Sequence, residues 1–199
     1  MDWLHTPCTA FEGSRCIATG ELKDVAPLAK AALDRRAGDN NPPPVLVFND
    51  ATSETIELDW RGSAQDFAAR LGVPATPHQP SPEATRGPGR PKLGVVAREV
   101  TLLPRHWEWL GLQPGGASVA LRKLVEAARL SSEGKDRARQ SREVGYKFMA
   151  TMAGHEAGFE EASRALFAGD QAGLEARIAA WPVDVQTHLK KLLTEAFQA

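Results

Sequence analysis

The sequence predicts an α+β protein in three parts: a small ββαββα N-terminal module over residues 1–72, a Pro-rich basic linker over 73–92, and a mostly helical C-terminal module over 93–199. Three observations carry this reading. Residues 8–60 hold short apolar runs of strand length, and only one helical period lies between them. Pro74, Pro77, Pro80, Pro82, Pro88 and Pro91 crowd a stretch with no apolar period, the composition of an extended, semi-rigid joint. From residue 135 onward, apolar side chains recur only at helical spacing.

Taken in order, residues 8–19 form a hairpin. Thr9-Ala10-Phe11 and Cys16-Ile17-Ala18 flank Gly13-Ser14, and glycine at the first turn position suits a type II′ turn. This register sets Phe11 opposite Cys16, so Cys8 and Cys16 are not cross-strand partners and read as free thiols. Asp24 is placed to cap a helix with Pro27 in its first turn, and Val25, Leu28, Ala29, Ala32 and Leu33 are its apolar stripe. After Pro42-Pro43-Pro44 comes a strand, Val45-Leu46-Val47-Phe48. A further strand follows the turn at 49–53, because Thr55, Glu57 and Asp59 alternate with Ile56, Leu58 and Trp60. A short helix from about Ser63 to Leu71 closes the module.

Past the linker, residues 98–103 are extended, and Pro104 suits the first position of a helix carrying Trp107 and Leu110. Pro114-Gly115-Gly116 turns the chain into a helix over about 117–130, striped by Ala120, Leu121, Leu124, Val125 and Ala128, which Ser131-Ser132-Glu133-Gly134 is expected to interrupt. Later helices carry Tyr146, Phe148, Met149 and Met152, then Phe159, Ala162, Leu166 and Phe167 up to Gly169. Asp170 caps the next, and the last follows Pro182 with Val185, Leu189, Leu192 and Leu193.

Charge is segregated behind a net of −1. Residues 1–85 carry 7 Lys+Arg against 12 Asp+Glu, residues 86–142 carry 12 against 5, and residues 143–199 carry 5 against 8. A central block of net +7 is placed to face a polyanion. No apolar run approaches the roughly 20 residues of a membrane span. Met1-Asp2-Trp3 begins no signal-peptide pattern, so a cytoplasmic protein without membrane contact is expected.

Within the basic block, Gly89-Arg90-Pro91-Lys92, the strand Arg98-Glu99-Val100-Thr101-Leu102, Leu103-Pro104 and Gly116-Ala117-Ser118 together resemble the ribbon-helix-helix family of DNA-binding proteins over about 40 residues. The resemblance implies a homodimer in which two strands pair antiparallel into a ribbon for the major groove. It also implies a phosphate held at the start of the second helix, near Gly116 and Ser118. Along the strand, Arg98, Val100 and Leu102 share one face and Glu99, Thr101 and Leu103 the other. Arg98 and Thr101 are the expected strand contacts, with Arg86, Arg90, Lys92, Arg122 and Lys123 on phosphates. Residues 86–92 also resemble the AT-hook, a minor-groove peptide centred on Arg-Gly-Arg-Pro, although Pro88-Gly89 separates the two halves here. Over the whole chain, residues 89–94, 104–110, 113–122 and 181–185 resemble an uncharacterised bacterial family, domain-of-unknown-function family 2239, which implies a prokaryotic origin and no activity.

Catalytic signatures are missing from the sequence. His5, His78, His106, His155 and His188 are scattered, and His155-Glu156 lacks the second histidine of a zinc helix motif. Asp184 and His188, four apart, read as a pair on one helix face. The glycines at 111–116 lack a Walker lysine, and no Gly-x-Ser-x-Gly occurs. No cofactor or metal is expected. A DNA-binding, regulator-like protein is the first reading, and a protein-interaction module whose basic block docks on an acidic partner is the alternative.

Overall fold

The structure, a computed structural model, describes residues 3–36, 42–72, 96 and 98–198. These residues form an α+β fold, mostly helical, with one three-stranded antiparallel sheet. Strands β1 (Pro7–Glu12) and β2 (Arg15–Glu21) are the expected hairpin, and Phe11 does pair with Cys16. Gly13 turns at φ 56°, a left-handed value that glycine adopts without a Cβ penalty. Glu12, buried at the hairpin end, is held by ion pairs from Arg15 and from Arg36 at 2.7 Å. The Arg15 hydrogen bond, followed by the Arg36 charge, keeps its carboxyl below the usual carboxylate range.

Helix α1 (Leu22–Asp34) starts two residues before the expected Asp24 cap, so Pro27 lies inside it. Strand β3 (Val45–Asn49) then pairs antiparallel with β1, giving the order β2-β1-β3. The fourth expected strand, over residues 55–60, is absent. Thr55 makes a single bridge to Phe48, the Ile56 amide donates to the Val47 carbonyl at 2.7 Å, and pairing stops there. The alternation nevertheless sets burial, since Ile56, Leu58 and Trp60 pack on the core while Thr55, Glu57 and Asp59 are exposed. Helix α2 (Ala64–Leu71) has a capping box: the Ser63 hydroxyl accepts from the Asp66 amide, and the Asp66 carboxylate accepts from the Ser63 amide at 3.0 Å. Phe67 of α2 stacks on Trp60 with ring centroids 5.3 Å apart.

The remaining helices are α3 (Pro104–Gly111), α4 (Gly116–Ala153), α5 (Phe159–Ala168), α6 (Gln171–Ile178) and α7 (Val183–Leu192). The interruption expected at 131–134 does not occur. The Ser131 and Ser132 hydroxyls both donate to the Ala128 carbonyl along the helix, and one exposed glycine costs only about 1 kcal/mol against alanine. Asp170 caps α6 by accepting from the Gly173 amide at 2.9 Å, and Gly169 ends α5 in the left-handed region.

The chain divides into two compact units: residues 1–75 with 134–199, and residues 76–133. The first is discontinuous, and its boundaries differ from the expected split at the linker. The reason lies in the sheet, which is buried on both faces. Cys8, Ala10 and Val47 pack against α1 and α2. Phe11 and Phe48 face the other way and join Phe148, Met149, Leu166, Ile178 and Leu189 from α4–α7 in one core. Gly145 allows this approach, since a Cβ there would overlap the Leu193 side chain.

Within this core, Asp184 and His188 do not pair. The Asp184 carboxylate accepts from the backbone amide of Cys16 at 2.8 Å, holding the edge of β2. His188 is 6% exposed, wedged between Phe11 and Phe148 with ring centroids 5.5 and 4.6 Å away. Its Nε2 lies 3.9 Å from Asp50, whose carboxylate accepts from the Thr9 hydroxyl and from Lys191, each at 2.8 Å. Burial pushes the His188 pKa below 6.5, Asp50 opposes the shift, and Lys191 reinforces it. The unfolded chain therefore takes the proton more readily. Stability from neutral His188 is present above its unfolded value near 6.5 and is lost as pH falls below it. We expect the urea midpoint to drop between about pH 7.5 and about pH 5.5, and His188→Phe to flatten that dependence, because phenylalanine keeps the aromatic packing and removes the proton site. An unchanged slope in the variant would assign the pH effect to other groups.

Cys8 and Cys16 are both free, as expected. Burial, with the Asp50 charge second, pushes the Cys8 thiol up to about 12, which leaves it an unreactive core group.

Candidate nucleic-acid interface

The unit holding the expected DNA-binding residues is built from residue 98 upward. Leu103 is extended at φ −65°, ψ 149°, and its carbonyl accepts from the His106 amide at 2.8 Å, so Pro104 begins α3 where its missing N–H costs nothing. The helix is eight residues long. Gly115 and Gly116 then take φ 87° and 76°, a reversal that suits glycine, and a Cβ on Gly115 would press on the Val119 side chain at 3.1 Å. The Gly116 amide donates to the Gln113 carbonyl at 2.9 Å. That bond occupies one of the amides expected to grip phosphate and leaves Ser118 as the exposed polar residue of the first turn of α4.

Arg98 and Thr101 are exposed on the 98–103 segment, which has no helical or strand pairing among the described residues. A strand needs a hydrogen-bonded neighbour. Extended Leu103 and this unpaired run are therefore not a ribbon in a single copy. Arg122 and Lys123 are exposed on α4, and Arg122 Nε donates back to the Ser118 carbonyl at 3.2 Å. The expected contacts Arg86, Arg90 and Lys92 lie outside the described residues. The +7 block is also divided: Lys135, Arg137, Arg139 and Arg142 belong to the other unit, where Arg137 pairs with Glu195 at 3.5 Å and Arg139 with Asp136 at 3.1 Å.

What the sequence did not reveal is how little this unit buries. Between residues 98 and 133, Leu110 and Ala120 alone are buried. Of the stripe expected on the second helix, Ala120 is buried and Leu121 half-buried, but Leu124 is 49% exposed and Val125 64%, and on α3 Trp109 is 51% exposed. Leu102, His106, Trp109, Leu110, Leu121 and Leu124 line an apolar groove of about 280 Å³ between the 98–103 segment, α3 and α4. A second depression of about 220 Å³ runs from Trp109 past Gln113 and Pro114 to Lys123. The two tryptophans of α3, two residues apart, were the available signal, because one helix cannot bury both on the same side. Among the described residues no helix is long and apolar enough to cross a membrane.

A family model described as an uncharacterised protein conserved in bacteria matches residues 7–193. No curated protein and no solved structure matches the chain.

Proposed function

The chain belongs to that bacterial family, DUF2239, whose name carries no activity, and from its own surface we propose a homodimeric, regulator-like DNA-binding protein. In this reading the 98–133 unit pairs with the same unit of a second copy and presents a basic face to duplex DNA. The observation that carries it is the open apolar groove beside an unpaired extended segment. Among the described residues of this unit only Leu110 and Ala120 are buried, which leaves much apolar surface for a partner to cover. Contiguous exposed apolar surface of this kind marks an interaction site. A second copy supplies both what the groove lacks and a neighbour for residues 98–103, so the ribbon of the family resemblance forms only in the dimer. Arg98, Arg122 and Lys123 lie on the same unit, and Arg86, Arg90 and Lys92 precede it in sequence. Together they supply the phosphate contacts on which affinity depends.

Light scattering tests the assembly, and a gel shift on a random duplex at low salt tests the ligand. The intact chain is expected to be a dimer at micromolar concentration. Leu124→Glu puts a carboxylate in the groove from an exposed helix position and is expected to weaken association at least about 30-fold, the size of an interface hot spot. DNA affinity should fall with it. A concentration-independent wild-type monomer would remove the ribbon from the reading. A dimer that retains no DNA would move the acidic-partner alternative to first place.

A further inference from the structure

Outside the 98–133 unit, α4 carries a guanidinium that the fold does not use. Arg142 is half-buried, and its Nε is enclosed without a hydrogen-bond acceptor. Among the described residues no ion pair and no other hydrogen bond holds it, and its two terminal nitrogens are not enclosed. Nη2 lies beside Gly169 at the C-terminal end of α5, where a Cβ would stand 3.6 Å away. The partial negative charge of a helix C-terminus favours a cation there, which accounts for the position and supplies no acceptor. Polar groups held this far inside a protein almost always have a partner, so an orphaned arginine points to one that the single chain lacks. One turn along α4 from Arg142 stands Tyr146, whose ring meets that of Phe167 at 5.2 Å. Both rings are open to solvent, Tyr146 37% exposed and Phe167 53%.

We propose that this face is a docking site for a partner protein, taking a segment in which a carboxylate stands beside an apolar side chain. Arg142, Tyr146, Phe167 and Gly169 all lie outside the 98–133 unit, so this docking does not depend on DNA binding. A guanidinium presents parallel N–H groups in the geometry of a carboxylate, and such charge-assisted bonds are stronger than those between neutral groups. The rings beside it cover the apolar part of the same segment. Aromatic residues and arginine are also the ones that concentrate binding energy in protein interfaces. Two features turn the face away from nucleic acid. The rings of Tyr146 and Phe167 are tilted by 55°, so successive bases cannot lie flat on both. Glu143 is exposed next to Arg142, and Glu160 is exposed two turns before Phe167 on the same side of α5. Those carboxylates repel a continuous phosphate chain, whereas a single carboxylate is accommodated by Arg142.

The test sets the full chain against a displayed library of random peptides, with the variants R142Q, R142K and F167A and a urea midpoint for each. Peptides enriched by wild type should share an acidic residue next to an aromatic or aliphatic one. By anisotropy, R142Q and F167A should each bind the best such peptide at least about tenfold more weakly. Changing the acidic residue of that peptide to its amide should weaken wild-type binding as much. R142K should recover only part of the loss, because an ammonium keeps the charge without the planar fork. Phe167 is exposed, so F167A should keep the wild-type midpoint and separates loss of binding from loss of fold. No enriched peptide, enriched peptides without an acidic residue, or equal binding by R142Q would overturn the proposal. Light scattering showing an assembly that R142Q abolishes would overturn it in favour of a second copy as the occupant. A duplex gel shift lost in R142Q would overturn it in favour of nucleic acid.

Discussion

If the proposed DNA interface forms, raising salt tenfold should weaken binding by at least about four orders of magnitude. Each neutralised phosphate releases condensed counterions, and log K falls against log salt with a slope of about −0.9 per contact. The proposed contacts Arg86, Arg90, Lys92, Arg122 and Lys123 would amount to five in one copy, a slope of about −4 to −5, and a dimer engaging both sets would approach twice that. Replacing Arg90 and Lys92 with alanine should flatten the slope by about 2 for each copy engaged and weaken all sequences alike, the signature of contacts to backbone rather than to bases. The measurement is anisotropy over a salt series on one random and one preferred duplex. A slope indistinguishable between wild type and the double variant would take the arm at 86–92 out of the interface. A slope near zero would leave the unit without a polyanion to bind.

The second large effect is on stability. Phe148→Ala should destabilise the protein by about 3–5 kcal/mol, against a total of roughly 5–15 kcal/mol for a folded domain. Phe148 is fully buried and joins Phe11 at 5.5 Å, Phe48 at 5.2 Å and His188 at 4.6 Å, ring centroid to ring centroid. The change removes a ring of α4 that meets Phe11 of β1, Phe48 of β3 and the histidine of α7. The melting temperature should fall by about 10 °C or more. Loss should be shared: amides of β1 and of α5 should lose hydrogen-exchange protection in step, because residues 1–75 and 134–199 close one core. Protection lost from the helices while β1 keeps its own would mean that the sheet with α1 and α2 is stable alone.

Several features of the chain are decided within a few residues, and those were legible in advance. The hairpin turn and the pairing of Phe11 with Cys16 follow from Gly13-Ser14, although a register shift between Ala10 and Phe11 then sets Ala10 opposite Ala18. Ser63 and Asp66 satisfy each other's amides, Pro104 begins a helix, and Asp170 caps one, each by a local hydrogen bond or a fixed φ. Strand alternation puts Arg98, Val100 and Leu102 on one face and Glu99, Thr101 and Leu103 on the other, yet residues 98–103 form no strand among the described residues, and of them only Leu102 is half-buried, in the groove with Leu110, Leu121 and Leu124.

The rest depended on partners distant in sequence. Alternation over residues 55–60 specifies a buried and an exposed side but cannot supply a neighbouring strand, so the expected fourth strand ends as one bridge to Phe48. Asp184 and His188 have the spacing of a helix pair, yet Asp184 is drawn to the Cys16 amide and His188 into the aromatic core beside Asp50. Apolar stripes look the same in sequence whether they close on their own chain or stay open, which is why the 134–153 part of α4 packs on Phe11 and Phe48 while Leu124 and Val125 remain exposed. Local propensity and period act over a few residues and were settled by the sequence itself. The shared core, the turning of His188 and the open groove of the 98–133 unit were decided only in three dimensions, because burial is a property of what comes to lie against a face and not of the face alone.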